Sequence, residues 1–196
     1  MSTHLPRLFL TRHGDTPWTE SRQHTGRTDL ALNERGEHNA RQMGERLRNN
    51  YSFAQVFTSP LQRASKTCEL AGYGARAEID SDLVEWDYGS AEGRTTAELR
   101  ATDPRWNVFD DGAPDGEPLA HVAERVDRAI ARCREVEGQG DVAVVSHAHL
   151  LRVFGARWID QPPLSARHLR LDTAAWCELD FEREWPTINR WNLTAT

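Results

Sequence analysis

The sequence has few cysteines and no long apolar run. Cys68, Cys133 and Cys177 are odd in number, far apart and never in a Cys-x-x-Cys pair, which argues against a disulfide framework or a cysteine-based zinc site. No apolar stretch approaches the roughly 20 residues of a membrane-spanning helix, and the first residues do not resemble a signal peptide. We therefore expect a cytoplasmic protein with reduced thiols and no membrane partner.

An excess of positive charge is also missing. The formal net charge is -6 at pH 7, whereas non-specific binding to nucleic acid or to an anionic membrane needs a basic face. This composition argues against both kinds of partner. A small anionic ligand remains compatible with it, because a local cluster of arginines can reverse the sign of the field.

Alternating apolar and amphipathic segments predict an α/β fold. Asn33 is a candidate cap for a helix over 34–48, and Ser59-Pro60-Leu61-Gln62 has the residues of a capping box that begins another helix. The expected strands are 7–11, 54–58, 77–79, 142–146 and 176–182, and further helices are expected at 119–133 and 148–158, with a polar loop over 15–31. This order predicts a three-layer α/β/α sandwich with a mostly parallel central sheet.

Residues 86–118 interrupt this pattern. They combine aromatic residues with Gly, Asp and Pro and show only a weak helical signal at 95–101. Long irregular connections in compact domains are usually lids or binding loops. We therefore predict one domain over 1–196, in which 86–118 is a small cap-like insertion that shapes specificity.

Two histidines follow two of the predicted strands. Arg12-His13-Gly14 follows the first strand, and His147 follows the strand 142–146. An open α/β sheet binds ligands beyond the carboxyl ends of its strands. A neutral histidine with one ring nitrogen fixed as a donor can attack phosphorus with the other, while arginine neutralises the phosphate oxygens. Taken alone, Arg-His-Gly is also compatible with an ordinary strand end whose histidine is hydrogen-bonded.

Two further side chains are candidates for the same site. Arg63 follows a strand and lies in the first turn of a helix, so it should project towards the strand ends, although most helical arginines lie on the surface. Glu85 opens an aromatic segment, and a carboxyl group beside apolar rings loses solvation, which suits a proton donor. Spacing alone does not choose between Glu85 and three other acids, which are Asp82, Asp87 and Glu92.

A metal site is the alternative interpretation of these histidines. His147 and His149 have His-x-His spacing and could bind a metal together with His13. No carboxylate or cysteine lies close by in the sequence to complete such a set. We therefore predict no metal, and we interpret His149 as a residue at the helix start that shapes the pocket.

Four segments together resemble the histidine phosphatase (phosphoglycerate mutase-like) superfamily. They occur in the family's order and span about residues 8 to 158; they are Leu10-Thr11-Arg12-His13-Gly14-Asp15-Thr16, Thr58-Ser59-Pro60-Leu61-Gln62-Arg63-Ala64, Leu83-Val84-Glu85-Trp86-Asp87-Tyr88-Gly89 with Glu92-Gly93, and Ser146-His147-Ala148-His149. The resemblance implies that His13 is the phosphorylated nucleophile and that Arg12, Arg63 and a protonated His147 bind phosphate. It also selects Glu85 as the acid and later the base.

Within the superfamily, residues 23–29 and 85–89 look most like sedoheptulose bisphosphatases and related broad acid phosphatases. By that analogy the candidate substrate contacts are His24, Thr25, Trp86, Tyr88 and Arg152. Two departures add further candidates. Thr19 stands where many members, mutases especially, have asparagine and could still donate a hydrogen bond to phosphate, and Ala148 stands where the family often has glycine.

The resemblance implies a cofactor-independent phosphomonoesterase that acts on small phosphorylated metabolites such as sugar phosphates. Three alternatives remain open: a phosphoglycerate mutase, a metallohydrolase and a non-catalytic protein that binds a phosphorylated ligand. The sequence does not identify the natural substrate. Trp185 and Trp191 near the end of the chain could form a homodimer contact if they are exposed.

Overall fold

In the computed structural model, which describes residues 7–136 and 140–195, the strands form a six-stranded sheet in the order β3-β2-β4-β1-β5-β6. The strands are β1 Leu8–Arg12, β2 Phe53–Thr58, β3 Ala77–Ile79, β4 Asp141–Ser146, β5 Trp176–Glu182 and β6 Trp185–Leu193. The first four pair in parallel, and β5 and β6 pair antiparallel at one side. The predicted α/β class with a mostly parallel sheet is confirmed.

Helices cover both faces of this sheet. They are α1 Pro17–Ser21, α2 Glu34–Asn50, α3 Gln62–Leu70, α4 Thr96–Arg100, α5 Val108–Asp111, α6 Leu119–Glu135 and α7 Ala148–Trp158. Successive strand residues point to opposite faces, so Leu8 and Leu10 join the apolar cluster beneath α6 and α7, whereas Phe9 joins the cluster beneath α2 and α3. Two separate cores result, one on each side of the sheet, as a three-layer sandwich requires.

The two predicted helix starts have different outcomes. The side chain of Asn33 accepts a hydrogen bond from the Gly36 N–H at 2.8 Å and caps α2 as predicted. The predicted Ser59 cap is wrong, because α3 begins at Gln62 and its N-cap Leu61 makes no side-chain cap hydrogen bond. Ser59 is fully buried, and its hydroxyl oxygen accepts from the Leu61 N–H at 3.3 Å and bonds to His147 at 2.8 Å.

The segment predicted as a polar loop and the tail beyond the last predicted strand both contain secondary structure. The loop 15–31 includes α1, whose N-cap Thr16 forms a capping box with Thr19. The tail beyond β5 forms β6, where Trp185 is exposed. Trp191 is instead packed so closely against α7 that a Cβ added to Gly155 would lie 2.6 Å from its ring. Of the two tail tryptophans, therefore, Trp185 is exposed and Trp191 is half-buried.

The segment 86–118 is joined to the loop that follows α1. An isolated bridge pairs Gln23 with Thr95, and the Gly93 N–H donates to the His24 carbonyl at 2.9 Å. The carboxylate of Glu92 accepts hydrogen bonds from two backbone N–H groups of the 22–29 loop. These contacts fix the two segments to each other near the carboxyl ends of β1 and β4.

Candidate active site

The parallel pairing of β1 with β4 brings His13 and His147 together. Arg12 is in register with Ser146, so the next residue along each strand is a histidine at the same edge of the sheet. The two imidazole centroids lie 5.2 Å apart with the rings edge to face. Both side chains are almost completely buried, and they share one low-dielectric environment.

The ring of His13 is held as a neutral imidazole with a defined tautomer. Its Nδ1 lies 2.7 Å from the Gly14 carbonyl oxygen, which can only accept, so Nδ1 carries the proton and Nε2 keeps a lone pair. Burial lowers the pKa of His13 well below its usual value, and the nearby charges of Arg63 and Arg12 lower it further. Nε2 is therefore available as a nucleophile at neutral pH and below.

Close backbone contact fixes the loop that carries this histidine. A Cβ added to Gly14 would lie 2.4 Å from the Gly36 carbonyl oxygen, so the first turn of α2 packs directly on the loop. The carboxylate of Asp15 accepts hydrogen bonds from Arg35 at 2.8 Å, Asn39 at 3.2 Å and Thr173 at 2.9 Å. The glycine of the Arg-His-Gly motif is thus required for packing.

Arg12 presents a guanidinium whose hydrogen-bonding capacity is largely unused. Within residues 7–136 and 140–195 its side chain donates one hydrogen bond, from Nη1 to the Leu171 carbonyl at 2.7 Å. Its Nε is buried without a partner. Burial lowers the pKa of Arg12, and the nearby Glu85 carboxylate opposes that shift. A desolvated cation with unused donors favours binding of an anion.

Arg63 and His147 form a layer behind His13 and do not line the pocket. Arg63 is fully buried; its Nε donates to His147 Nδ1 at 3.1 Å, and its terminal nitrogens donate to the carbonyls of Thr25, Gly26 and Thr28. Arg63 therefore reaches the strand ends as predicted, and it also fixes the 25–28 loop.

The same contacts define the state of His147. Because its Nδ1 accepts from Arg63, its Nε2 carries the proton and donates to Ser59 Oγ at 2.8 Å. Burial lowers the pKa of His147 well below its usual value, and the charge of Arg63 lowers it further. The structure thus corrects the expectation of a protonated His147, since the site holds a neutral ring.

Glu85 is selected by its position among the four acids. Its carboxylate accepts hydrogen bonds from the N–H groups of Trp86 and Leu150 at 2.9 Å and of His149 at 3.1 Å, at the start of α7. The side chain is buried, as expected from its aromatic neighbours, and these three donors satisfy its oxygen atoms. The other three acids bind elsewhere: Asp82 pairs with Arg128 and Arg132, Asp87 with Arg27, and Glu92 with the 22–29 loop.

Two adjoining pockets open at this edge of the sheet. The first has a volume of about 250 Å³ and is lined by Arg12, His13, Trp18, Thr19, Arg22, Gln23, His24, Thr25, Glu85, Tyr88, Ala148 and His149. The second, of about 120 Å³, shares His24 and His149 with the first and extends to Arg100, Arg152 and Arg167. The small volume of the first pocket suits a small polar ligand.

The predicted substrate contacts divide between these pockets. His24, Thr25, Tyr88 and Ala148 line the first, and Arg152 lines the second. Trp86 lines neither pocket, because its ring is fully buried in the core and its Nε1 donates to the Glu117 carbonyl at 2.6 Å. The expected contact from Trp86 is therefore wrong.

Thr19 lines the first pocket, but its hydroxyl is hydrogen-bonded to the backbone of Thr16. Oγ1 donates its hydrogen to the Thr16 carbonyl at 2.9 Å and accepts from the Thr16 N–H at 2.8 Å. The bond from the Thr16 N–H belongs to the capping box of α1. The predicted hydrogen bond from this hydroxyl to phosphate is thus not available in this arrangement.

Sequence reasoning missed three residues of the first pocket, Trp18, Arg22 and Gln23, whereas it predicted that His149 shapes the pocket. The signal that could have found the first three is Thr16-Pro17 followed by Thr19, which is a helix start with proline at the first helical position. Recognising α1 would have placed Trp18 and Arg22 beside His13. For His149 the sequence considered only a metal or a role in shaping the pocket.

The arrangement of side chains also relates to the alternative interpretation of the histidines as a metal site. Across residues 7–136 and 140–195, no cluster of three His, Cys, Asp or Glu side chains is arranged to hold a metal ion. Both ring nitrogens of His147 are hydrogen-bonded to protein groups. Activity in the presence of a chelator is the direct test of this alternative.

The buried histidines predict a loss of stability in mild acid. In the unfolded chain a histidine has a pKa of about 6.5, whereas burial lowers the pKa of His13, His147 and His149 well below that value. As the pH falls below about 6.5, the unfolded chain binds protons that the folded protein does not, so the free energy of unfolding decreases. The slope approaches about 1.4 kcal/mol per pH unit for each such histidine.

Urea unfolding at pH 7.5, 6.5 and 5.5, above the main range of carboxylate titration, measures this slope. His149→Gln should make the slope shallower, and substitution of the exposed His38 provides the matched control. A free energy of unfolding that is constant over this range would contradict the neutral state of the buried rings.

The families and relatives that this sequence matches agree with the geometry of the site. The model of the histidine phosphatase superfamily (branch 1) matches residues 8–194. The chain is 38% identical over 177 residues to an acid phosphatase of Mycobacterium tuberculosis, covering 90% of this chain and 87% of that protein. It is 36% identical over 182 residues to sedoheptulose 1,7-bisphosphatase of Saccharomyces cerevisiae, covering 78% and 67% respectively.

A solved structure has the same fold. The product of the open reading frame Rv3214 from Mycobacterium tuberculosis superposes with a TM-score of 0.93 at 35% identity, covering 97% of this chain and 99% of that one. The family predicted from the four sequence segments is confirmed. The chain belongs to branch 1 of the histidine phosphatase superfamily.

Proposed function

We propose that this protein is a cofactor-independent phosphomonoesterase that hydrolyses small phosphorylated metabolites through a phosphohistidine. One observation carries the proposal. The first pocket contains a neutral histidine, an arginine and a buried carboxyl group, contributed by His13, Arg12 and Glu85. In the part of the chain that the structure describes, Nε2 of the histidine has no partner and the arginine has unused donors. These are the nucleophile, the anion-binding group and the proton carrier that phosphoryl transfer to histidine needs.

In the first step, His13 Nε2 attacks phosphorus and the bond from phosphorus to the ester oxygen breaks. Glu85 gives its proton to that oxygen, so the leaving group departs as an alcohol. Arg12 stabilises the negative charge on the transferring group. Arg63 and His147 lie behind His13 and support the site, because Arg63 donates hydrogen bonds to both His147 and the 25–28 loop.

In the second step, water attacks the phosphohistidine and the bond from nitrogen to phosphorus breaks. Glu85 takes a proton from the water, and Nε2 recovers its lone pair. The carboxyl group thus ends each turnover protonated, ready for the next ester. The sum of the two steps is hydrolysis of a phosphomonoester to an alcohol and inorganic phosphate.

The test is phosphate release from a panel of phosphomonoesters in the presence of EDTA, with an alkaline quench that preserves phosphohistidine for mass spectrometry. We expect sustained release with phosphate attached transiently to His13. Loss of activity on chelation would support a metallohydrolase, and isomer production dependent on a bisphosphorylated activator would support a mutase. Tight anion binding without turnover would support a ligand-binding protein.

The substrate class is supported by the names of the relatives, one an acid phosphatase and one a sugar bisphosphatase. We propose that this chain acts on phosphorylated sugars or similar polyols. We also propose that residues 86–118 form the specificity cap, supported by their contacts with the 22–29 loop. Values of kcat/KM across phosphorylated sugars, measured for the wild type and for cap variants, test both.

Three further expectations belong to the proposal. A domain over 1–196 extends beyond the described residues at both ends and across 137–139. A cytoplasmic location is supported by the three cysteines, all free and buried. Separately, no helix in the described ranges is long and apolar enough to cross a membrane.

A homodimer contact through the exposed Trp185 on β6 is tested by sedimentation of wild-type and Trp185→Ser proteins.

A further inference from the structure

The ring of His149 lies where the two pockets meet. It lines both the pocket that contains His13 and the adjoining pocket. Its backbone N–H donates to Glu85 Oε2 at 3.1 Å, which ties it to the proposed proton carrier. His24, the other residue shared by the pockets, stacks on it with ring centroids 6.2 Å apart. The mechanism proposed above gives this side chain no role.

Tyr88 determines which nitrogen of His149 carries the proton. The Tyr88 hydroxyl lies 2.5 Å from His149 Nδ1 and, among the residues that the structure describes, has no other hydrogen-bond partner. Tyr88 is buried, and a buried hydroxyl hydrogen must be donated to an acceptor. The hydroxyl therefore donates to Nδ1, and the proton of the neutral ring lies on Nε2.

The charge state of this pair is equally well defined. Burial raises the pKa of Tyr88 well above its usual value, so the hydroxyl keeps its proton. Burial lowers the pKa of His149 well below its usual value, and the charges of Arg152, His24 and Arg12 lower it further. His149 is therefore a neutral donor with a fixed tautomer over the physiological pH range.

The Nε2 of His149 is left for a ligand. In the described part of the chain it has no hydrogen-bond partner, and it is not among the atoms sealed from solvent without one. The ring cannot easily reorient, because Phe109 lies edge to face at 5.2 Å and Tyr88 at 5.6 Å. The rings around His149 thus hold it so that its Nε2–H is the one donor it offers to the pockets.

We propose that His149 Nε2–H donates a hydrogen bond to an oxygen atom of the leaving group, and that Tyr88 is the positioning residue that fixes this tautomer. The proposal rests on the proposed function, because the leaving group is defined by ester hydrolysis. Since His149, Glu85 and His13 line the same pocket, the acceptor oxygen belongs to the part of the leaving group that this pocket holds. The substrate class is therefore a phosphomonoester of a hydroxylated or carbonyl-bearing alcohol.

Two esters of the same chain length test this assignment. Glycerol 3-phosphate carries two hydroxyl groups that propyl phosphate lacks, so the ratio of their kcat/KM values isolates recognition of the hydroxyls. We expect wild-type protein to prefer glycerol 3-phosphate. In His149→Leu the ratio of the two kcat/KM values should fall by about 3- to 10-fold, which is the effect of losing one hydrogen bond. His149→Gln, which keeps an N–H donor near the position of Nε2, should retain most of it.

Tyr88→Phe removes the group that fixes the tautomer and should reduce the preference less than His149→Leu. Tyr73→Phe is the matched control, because it also removes a buried hydroxyl, which has no partner within the described ranges and packs beside Phe53 in the other core. It should leave both kcat/KM values unchanged. This control separates loss of the tautomer from general loss of a buried hydroxyl.

Nitrogen-15 NMR of the histidine rings gives a readout that a purely structural role would not change. We expect a protonated Nε2 and an unprotonated Nδ1 on His149 in wild type and in Tyr73→Phe, and a mixture of tautomers in Tyr88→Phe. A wild-type ring protonated on Nδ1, or an unchanged preference in His149→Leu, would overturn the proposal. Failure of the wild type to hydrolyse either ester would overturn the proposed function itself, and the NMR signals would distinguish the two results.

Discussion

His13→Asn is expected to abolish turnover, lowering kcat on the order of 10⁴- to 10⁶-fold, as removal of a covalent nucleophile does in other enzymes. Asparagine is the informative replacement because its amide nitrogen takes the position of Nδ1. It can still donate to the Gly14 carbonyl, which accepts from His13 at 2.7 Å. The substitution therefore removes the lone pair of Nε2 and keeps the bond that orders the loop.

The measurement combines the rate of phosphate release with the alkaline-quench assay for phosphoenzyme. Retained binding of inorganic phosphate by the variant would show that Arg12 still presents its guanidinium. His38→Gln is the control, since His38 is exposed on α2. Phosphate release by His13→Asn at the wild-type rate, or phosphoenzyme formed without His13, would remove the basis of the proposed mechanism.

Glu85→Gln is expected to cause the second largest loss, and its size should depend on the leaving group. For an alkyl phosphate, whose leaving oxygen needs a proton, the loss should be roughly 10²- to 10⁴-fold, the usual contribution of a general acid. For 4-nitrophenyl phosphate the phenolate leaves without help, so the loss should be much smaller. The contrast between the two substrates is the signature of a proton donor.

The amide introduced by Glu85→Gln also has a structural effect, because the native carboxylate accepts three backbone hydrogen bonds. The new NH₂ group would face one of those donors, so thermal stability is measured beside kcat. Asp82→Asn is the matched control, since it removes a carboxylate that pairs with Arg128 and Arg132. An equal loss for both esters in Glu85→Gln would contradict the role of proton donor.

The sequence encoded the features that depend on near neighbours. The short apolar runs of β1 and β4 predicted two strands, and Asn33 capped the helix that follows it. The placement of His13 beside His147 also followed from sequence, because both residues end parallel strands and such strands share one edge. The family was recognisable because four short segments occur in a fixed order.

The partner of each buried polar group, in contrast, was decided by the tertiary structure. Ser59 had the sequence of a helix cap, yet its hydroxyl bonds to His147, which is 88 positions away. Arg63 directs its donors to His147 and to the 25–28 loop, so it holds the site together from outside the pocket. Trp86 lies in the core because the segment that carries it folds over α6 and α7.

By itself, the order of residues determined the class of fold and the side of the sheet where the site forms, since these follow from local periodicity and strand direction. The assignment of His13 as the proposed nucleophile came from the resemblance of four segments to a known family. The tautomers of His13, His147 and His149 required the folded chain, and so did the backbone donors that hold the Glu85 carboxylate at the start of α7. The physical reason is that a hydrogen-bonding group is defined by which donor or acceptor reaches it, and here those partners come mostly from distant strands, helices and loops.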